Sequence, residues 1–243
     1  MLEPVTFSTG SHPSGIYAFA IADGLGGHSS GDIASQFVLS WIYAAIAESS
    51  EISQSSLTKI LQDAHRALFE ISSTVSSYRG MGSTVAGLVI CPGGSVYLFH
   101  VGDSRIYRRE DRFLQLLTKD DRLESAGYGE NAQGNNTQTA LLQCLGGLTK
   151  FSEITPHILR MDVLDKPETF LLCSDGVSDM ISQDEMEASM SGYPEGTIRT
   201  LFERVRDAGA RDNVSIMLVS VIPSYASTEN NIVSTIESSQ VKG

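Results

Sequence analysis

The distribution of apolar residues along the chain predicts strands and helices that occur in blocks. A short apolar run at 15–22 is typical of a buried strand. Two longer segments, from about 30 to 48 and from 55 to 73, carry apolar residues at helical spacing. Later apolar runs are shorter and are bounded by turn-forming residues, as in strands and hairpins. These later strands are expected at 83–91, 95–101, 113–117, 169–174 and 214–222, and short helices near 182–190 and 195–208.

This order of elements favours an α+β fold built in layers. Because strands and helices do not alternate strictly, predominantly antiparallel sheets are expected rather than a doubly wound parallel sheet. Residues 1–222 show no internal repeat and no composition shift, so they are expected to form one domain. Residues 223–243 are rich in serine and poor in apolar side chains, which is typical of a flexible tail or linker.

Composition and charge exclude several classes of partner. The 243 residues include 29 acidic and 17 basic side chains, which gives a formal net charge of -12 without any basic tract. Neither a nucleic acid nor an anionic membrane is therefore an expected partner. The apolar runs, of about ten residues, are too short to span a bilayer. Cys91, Cys144 and Cys173 lie among apolar neighbours, which predicts buried free thiols in a cytoplasmic protein.

Three segments join an apolar strand to an aspartate that lies beside glycine or asparagine. They are residues 20–27, 171–179 and 210–219. The glycine that follows Asp23 and Asp175 lets the backbone turn sharply. Converging carboxylates need a cation between them, and hard oxygen ligands select Mg²⁺ or Mn²⁺. Taken singly, each Asp-Gly pair is also what an ordinary β-turn would carry.

Seven short motifs, spread in order from about residue 16 to residue 222, match one family. They are ADGLGGHSSGDIAS (22–35), MGSTVAGLVI (81–90), HVGDSRIYR (100–108), LTKDD (117–121), LLQCLGG (141–147), LLCSDGVSD (171–179) and RDNVSIMLV (211–219). By their order and spread, the chain resembles the bacterial metal-dependent Ser/Thr protein phosphatases of the PP2C (PPM) family.

The resemblance implies an α-β-β-α sandwich, in which two antiparallel β-sheets pack face to face and α-helices cover both outer faces. It also implies two Mg²⁺ or Mn²⁺ ions in a cleft at one end, with a third ion bound more weakly. By matching position, Asp23 would bridge the two ions and the carbonyl of Gly24 would bind one of them. Asp175 and Asp212 would hold the other ion, and Asp120 would be a ligand of the third.

Other residues near these motifs have roles that the resemblance leaves more open. Asp179 is expected beside the third ion, in contact through water. His28 is either the general acid or a helix-entry histidine bonded to backbone, because Leu25 stands where eukaryotic relatives carry the acid. Asp103 is expected to organise local hydrogen bonds and Ser104 to serve the turn, since no base lies beside it in sequence. The remaining histidines are expected to be structural or exposed: His12, His65, His100 and His157.

The match breaks at the beginning of the chain. Family members start with an Arg-x-x-Asn-x-Asp motif, whose arginine grips the substrate phosphate and whose acid completes the second metal shell. Residues 1–22 contain no such motif, so the chain as given is expected to begin late. By the same resemblance, residues 121–140 correspond to a flap beside the cleft that is shorter here than in typical members, and substrate choice therefore does not carry over.

The resemblance implies a cytoplasmic, monomeric enzyme that hydrolyses phosphoserine and phosphothreonine on proteins through a metal-activated water. Its partner would be a phosphoprotein made by a Ser/Thr kinase. Two alternatives stay open. One is a non-catalytic binding module of the same fold, suggested by the missing first motif and opposed by the retention of four ligand aspartates. The other is a partner-switching regulatory phosphatase that acts on one phosphorylated regulator.

Overall fold

A computed structural model describes most of the chain between residues 15 and 222, with the backbone alone at His28 and Ser29. The described ranges are 15–26, 28–123, 141–161, 164, 166–190 and 193–222. Strands in these ranges are β1 (Tyr17–Ile21), β2 (Gly24–Leu25), β3 (Gly82–Ser83), β4 (Val85–Ile90), β5 (Val96–Val101), β6 (Arg105–Glu110), β7 (Phe113–Leu116), β8 (Leu145–Gly146), β9 (His157–Met161), β10 (Glu168–Cys173) and β11 (Ile216–Val221). Helices are α1 (His28–Glu48), α2 (Gln54–Thr74), a 3₁₀ turn (Ser76–Tyr78), α3 (Asp175–Ser178), α4 (Gln183–Ser189) and α5 (Pro194–Asp207).

The strands form two four-stranded sheets and one small sheet, and all their pairings are antiparallel. The first sheet has the order β1-β4-β5-β9, and the second has the order β11-β10-β6-β7. The small sheet, β2-β3-β8, joins the end of the first Asp-Gly segment to residues 82–83 and 145–146. The predicted antiparallel α+β fold is therefore confirmed.

Three apolar clusters show how the layers stack. One cluster packs α1 and α2 against the first sheet, with Phe99 and Leu61 among its buried side chains. The second lies between the two large sheets and contains Phe19, Leu88 and Phe170. The third joins the other face of the second sheet to α4 and α5. Because alternate residues of a strand face opposite sides, each sheet buries both of its faces, one on helices and one on the other sheet.

Local sequence signals account for several helix boundaries. Ser53 caps α2, because its hydroxyl accepts a hydrogen bond from the Ser56 backbone N–H while the Ser56 hydroxyl accepts one from the Ser53 N–H. Ser182 and Glu185 form the same reciprocal arrangement at the start of α4. Such capping boxes satisfy backbone donors that a helix leaves free at its first turn.

A buried histidine ties α2 to the small sheet. His65 is fully buried, its Nδ1 accepts a hydrogen bond from the Gly146 N–H at 3.0 Å, and its Nε2 donates to the Ser152 carbonyl at 2.9 Å. These partners require the neutral tautomer, and burial accordingly lowers the pKa of His65. His65 is thus a structural residue.

The predicted burial of the cysteines is confirmed for Cys144 and Cys173 but not for Cys91. All three cysteines are free thiols; Cys144 and Cys173 are buried and Cys91 is half-buried. Burial raises the pKa of Cys144 to about 11 and that of Cys173 to about 12, so both thiols stay protonated at neutral pH. Among the described helices, none combines the length and apolar character needed to cross a membrane.

Several predictions fall on residues outside the described ranges. They concern His12, the flap over most of 121–140, and the tail at 223–243. The division into one domain and a tail therefore stays a prediction.

Candidate metal centre

Asp23 follows β1 directly, and neighbouring strands hold its backbone in place. Its N–H donates to the Thr84 hydroxyl at 3.1 Å, and its carbonyl accepts from the Thr84 N–H at 2.8 Å and from the Ser83 hydroxyl at 3.0 Å. The Thr84 and Ser104 hydroxyls are hydrogen-bonded to each other at 2.7 Å. Three motifs that are distant in sequence thus meet at one point, and buried Ser104 serves this network.

Two glycines allow α1 to approach Asp23 closely. A Cβ atom on Gly24 would lie 2.0 Å from the Gly31 carbonyl oxygen, and one on Gly31 would lie 2.7 Å from the Gly24 carbonyl oxygen. Only glycine at both positions lets the backbone segments make this contact. The glycines of residues 22–31 therefore bring the start of α1 against the Asp23–Gly24 turn.

Asp175 and Asp212 are brought together by hydrogen bonds between their flanking residues. The Ser174 hydroxyl accepts from the Ser215 N–H at 3.1 Å, and the Ser174 N–H donates to the Ser215 carbonyl at 3.1 Å. A Cβ on Gly176 would lie 2.1 Å from the Asn213 carbonyl oxygen. The turn after β10 and the loop before β11 are therefore in direct backbone contact.

The three aspartates interact electrostatically at the end of the sheets. Asp175, Asp212 and Asp103 all lie near enough to Asp23 for their charges to act on its carboxyl. Burial, followed by the charges of Asp175, Asp212 and Asp103, holds the pKa of Asp23 well above its usual range. Carboxylates that are crowded in this way are stabilised by a cation between them.

The chemistry of this cluster suits Mg²⁺ or Mn²⁺. Its donors are carboxylate oxygens with the Gly24 backbone beside them, which are the ligands that hard divalent cations prefer. Asp175 Oδ1 is buried and has no hydrogen-bond partner in the structure, although its other oxygen is bonded. A metal ion bound to Asp175 Oδ1 would offset the free-energy cost of burying an unpaired oxygen. The residues present therefore fit divalent ions, and their individual roles as ligands stay predictions.

An arginine that the sequence did not indicate lies beside the cluster. The Arg122 guanidinium donates to the carboxylates of Asp103, Asp175 and Asp179. Asp103 is buried and organises this contact, in agreement with its expected role in local hydrogen bonding. Asp179 lies next to the cluster but is engaged by Arg122.

Asp120 and His28 differ from the other predicted site residues. The Asp120 carboxylate accepts three hydrogen bonds from Arg105, at 2.7 to 3.2 Å, and is thus paired away from Arg122. Its predicted role at a third ion stays a prediction that this pairing does not favour. His28 is the first residue of α1, and its side chain lies outside the described part.

A second group with metal-ligand chemistry is formed by His100, Asp121 and His157. Their ligand atoms all lie within 4.8 Å of one another, and in the part of the chain that the structure describes they are the one such trio. The two imidazole rings are stacked, with centroids 4.4 Å apart and planes 8° from parallel. Because imidazole lone pairs lie in the ring plane, stacked rings do not aim at a common ion. His157 instead contacts Asp121 at 2.9 Å, as a hydrogen-bonded pair.

The buried position of His100 predicts a pH dependence of stability. Burial, and then the neighbouring His157, lower the pKa of His100 from 6.5 to about 4, against the opposing charges of Asp121 and Asp120. As the pH falls, His100 is therefore protonated in the unfolded chain before it is protonated in the folded chain. The free energy of unfolding decreases as a result between about pH 6.5 and about pH 4. The expected loss from this group is about 3 kcal/mol at most.

This loss can be measured by denaturant unfolding at pH 7 and pH 4 in the presence of a chelator. The free energy of unfolding of His100→Gln should fall less over this interval than that of the wild type. Equal losses in the two proteins would show that His100 does not titrate differently in the folded state.

Comparison with known proteins places this arrangement in a family. A family model described as protein phosphatase 2C matches residues 6–218. The chain belongs to the protein phosphatase 2C family. A serine/threonine phosphatase named stp from Listeria monocytogenes is 29% identical to this family member over 217 aligned residues, and the match covers 82% of each chain.

Solved structures of bacterial phosphatases share the fold of this protein phosphatase 2C member. The Streptococcus agalactiae serine/threonine phosphatase superimposes with a TM-score of 0.74 at 22% identity, covering 87% of this chain and 90% of the other. The Mycobacterium tuberculosis serine/threonine phosphatase PstP/Ppp gives 0.69 at 27% identity, covering 84% and 87%. The predicted family and fold are therefore confirmed.

Proposed function

We propose that this protein hydrolyses phosphoserine and phosphothreonine esters on proteins, using Mg²⁺ or Mn²⁺ bound by Asp23, Asp175 and Asp212. The observation that carries the proposal is that Asp175 and Asp212, which are distant from Asp23 in sequence, lie near enough to act on its carboxyl electrostatically. Membership of the protein phosphatase 2C family, and relatives named serine/threonine phosphatases, support the same reaction.

Each residue contributes a defined part of the site. Asp23, held at both backbone groups by residues 83–84, would face two ions, and the Gly24 carbonyl would bind one of them. Asp175 and Asp212 would hold the other ion, and the backbone contact between their loops places the two residues close together. These backbone contacts fix the ligands before any ion binds, so little reorganisation is needed during the reaction.

Divalent ions held by Asp23, Asp175 and Asp212 would supply an activated water and would offset the negative charge of the phosphoryl oxygens. The cluster itself is acidic, so without ions it would repel a phosphate group. No side chain needs to form a covalent bond to phosphorus. The Ser104 hydroxyl is hydrogen-bonded to the Thr84 hydroxyl and has a structural role. The reaction therefore depends on the ions and on the carboxylates that position them.

We expect the substrate to be a phosphoprotein made by a Ser/Thr kinase. The enzyme would act as a monomer in the cytoplasm. The net charge of -12 gives no long-range attraction for an acidic phosphopeptide. Binding is therefore expected to depend on the cluster and on local contacts around it.

The experiment that tests the proposal compares phosphate release from phosphothreonine and phosphotyrosine peptides in the presence of Mn²⁺ or excess EDTA. We expect release from the phosphothreonine peptide with Mn²⁺ and at least a 100-fold decrease with EDTA, because the ions supply the nucleophile. Readdition of Mn²⁺ should restore the rate. Circular dichroism under both conditions would verify that the chelator leaves the fold intact.

Two outcomes would contradict the proposal. A rate that is unchanged by EDTA would show that hydrolysis does not depend on metal ions. Failure of the folded protein to release phosphate from the peptide or from a generic aryl phosphate, with Mn²⁺ bound, would favour the non-catalytic binding module.

A further inference from the structure

Arg122 donates hydrogen bonds to three carboxylates that come from two segments of the chain, the turn after β5 and the α3 segment. Its Nε donates to Asp103 Oδ2, its Nη2 donates to Asp175 Oδ2 at 2.9 Å, and its Nη1 donates to both oxygens of Asp179 at 2.9 Å. All three guanidinium nitrogens are therefore used. The group formed by these four side chains is called the Arg122 cluster below.

Two side chains of the Arg122 cluster are shielded from solvent and two are partly exposed. The side chains of Arg122 and Asp103 are 16% and 6% exposed, whereas those of Asp175 and Asp179 are 28% and 48% exposed. Charge-assisted hydrogen bonds are strong where water is partly excluded. The ion pair with Asp103 is therefore the least screened of the three.

The backbone around Arg122 keeps the guanidinium in place. Arg122 forms a β-bridge with Leu141, the Leu142 N–H donates to the Asp121 carbonyl at 2.7 Å, and the Asp121 N–H donates to the Gly102 carbonyl at 3.0 Å. This last bond ties residues 121–122 to the turn that carries Asp103. The Arg122 side chain thus starts from a fixed point beside the carboxylates.

An arginine in this position does the electrostatic work of a bound cation. Three carboxylates around one point repel one another unless a positive charge lies between them. The guanidinium is a permanent positive charge, and its N–H groups occupy carboxylate lone pairs that a divalent ion would need.

We propose that Arg122 takes the place of a divalent ion between Asp103, Asp175 and Asp179, so that this part of the acidic region binds no metal in the native protein. The inference rests on the proposed function, because it concerns the same metal centre. Asp175 belongs to both groups: its Oδ2 is held by Arg122, and its buried Oδ1 has no hydrogen-bond partner. Arg122 is accordingly also a positioning residue, which orients Asp175 toward the proposed ions.

The test counts bound Mn²⁺ per chain by equilibrium dialysis, with the electron paramagnetic resonance signal of free Mn²⁺ as the readout. Arg122→Met removes the charge and keeps an unbranched side chain. We expect this variant to bind one Mn²⁺ more per chain than the wild type, in the millimolar range, because the three carboxylates then lack a counterion. Adding Asp103→Asn to Arg122→Met should abolish the additional site.

A matched control is Arg66→Met, which removes an exposed arginine that pairs with Glu153 on the surface. Its Mn²⁺ count should equal that of the wild type, since the change lies outside the Arg122 cluster. An unchanged count in folded Arg122→Met would overturn the proposal. A gain of one ion in Arg66→Met as well would also overturn it, because the gain would then follow from net charge alone.

A second arm keeps Arg122 in place and does not require Arg122→Met to fold. Asp103→Asn and Asp179→Asn should each bind as many Mn²⁺ ions as the wild type, since these carboxylates hold a guanidinium and no metal. Loss of a bound ion in either variant would overturn the proposal.

The wild-type count separates this inference from the proposed function. A wild-type protein that binds Mn²⁺ together with an Arg122→Met variant that gains nothing would overturn the role of Arg122 alone. A wild-type protein that binds no Mn²⁺, with no ion gained in Arg122→Met, would overturn both. The proposal also predicts a kinetic signature: Arg122→Met should raise the Mn²⁺ concentration needed for half-maximal activity, because Asp175 loses its positioning partner.

Discussion

Replacement of Asp23 by Asn is expected to lower Mn²⁺-dependent phosphate release by about 10³-fold or more, which corresponds to roughly 4 kcal/mol of transition-state stabilisation. The proposed bridging role explains the size of the effect, because an amide supplies only one neutral oxygen where two ions need a shared carboxylate. The measurement is kcat/KM for a phosphothreonine peptide at saturating Mn²⁺. Asp175→Asn should show a comparable loss.

The same substitution should have the opposite effect on stability. Asp23 is repelled by Asp175, Asp212 and Asp103 when no ion is present. Asp23→Asn removes this repulsion, so its thermal midpoint in EDTA should be at or above that of the wild type. A variant that loses activity through misfolding would instead show a lower midpoint.

The matched control for Asp23→Asn is Asp63→Asn. Asp63 is an exposed carboxylate on α2 that pairs with Lys59. Exposed ion pairs of this kind contribute little to stability. Activity and midpoint should therefore stay near the wild-type values. Full activity in both Asp23→Asn and Asp175→Asn would refute the proposed centre.

The second large effect is expected from Gly176→Ala. The added Cβ would lie 2.1 Å from the Asn213 carbonyl oxygen and 3.0 Å from its carbon, so one backbone segment must move. Overpacking of this kind costs about 1–3 kcal/mol, which lowers the thermal midpoint of a chain of this size by several degrees. The movement also separates the segments that carry Asp175 and Asp212, so activity should fall at least tenfold at subsaturating Mn²⁺.

Gly196→Ala is the matched control for Gly176→Ala. Gly196 lies in α5, and a Cβ there would meet no atom within 4 Å. Alanine is favoured over glycine in a helix by about 0.5–1 kcal/mol, so this variant should be as stable as the wild type or more stable. Wild-type stability and activity in Gly176→Ala would contradict the close approach of the two loops.

Most of the architecture could be predicted from local pattern. Six elements are easy to recognise in the sequence, because the faces that they bury must be lined by apolar residues. They are the helices α1 and α2 and the strands β4, β5, β10 and β11. The capping boxes at Ser53 and Ser182 mark two helix starts in the same way. Antiparallel pairing followed from the block order of the elements.

The elements that escaped prediction lack such a pattern. Strand β9 lies at the edge of its sheet, its residues are half-buried or exposed, and no apolar run therefore marks it. Strands β2, β3 and β8 contain two residues each, which is too short for any periodicity. Their pairing depends on glycine contacts that only the folded backbone makes.

The aspartates of the candidate centre could be proposed from sequence, but their neighbours could not. Asp23, Asp175 and Asp212 stand out because each lies beside a strand and next to Gly or Asn. Arg122 and Asp120 are near neighbours in sequence, yet one reaches the cluster and the other pairs with Arg105. The local sequence does not indicate which partner each of these residues contacts, because the contacts depend on which strands pair.

The amino-acid sequence by itself determined the layered α+β architecture and the family resemblance, and it predicts oxygen ligands for hard cations. It could do so because burial, turn chemistry and ligand hardness are properties of residues and their near neighbours. Only the tertiary structure decided which charges meet: Arg122 with Asp103, Asp175 and Asp179, and Asp121 with His157. Electrostatic partners are chosen by distance in space, and that distance exists only after the sheets have packed.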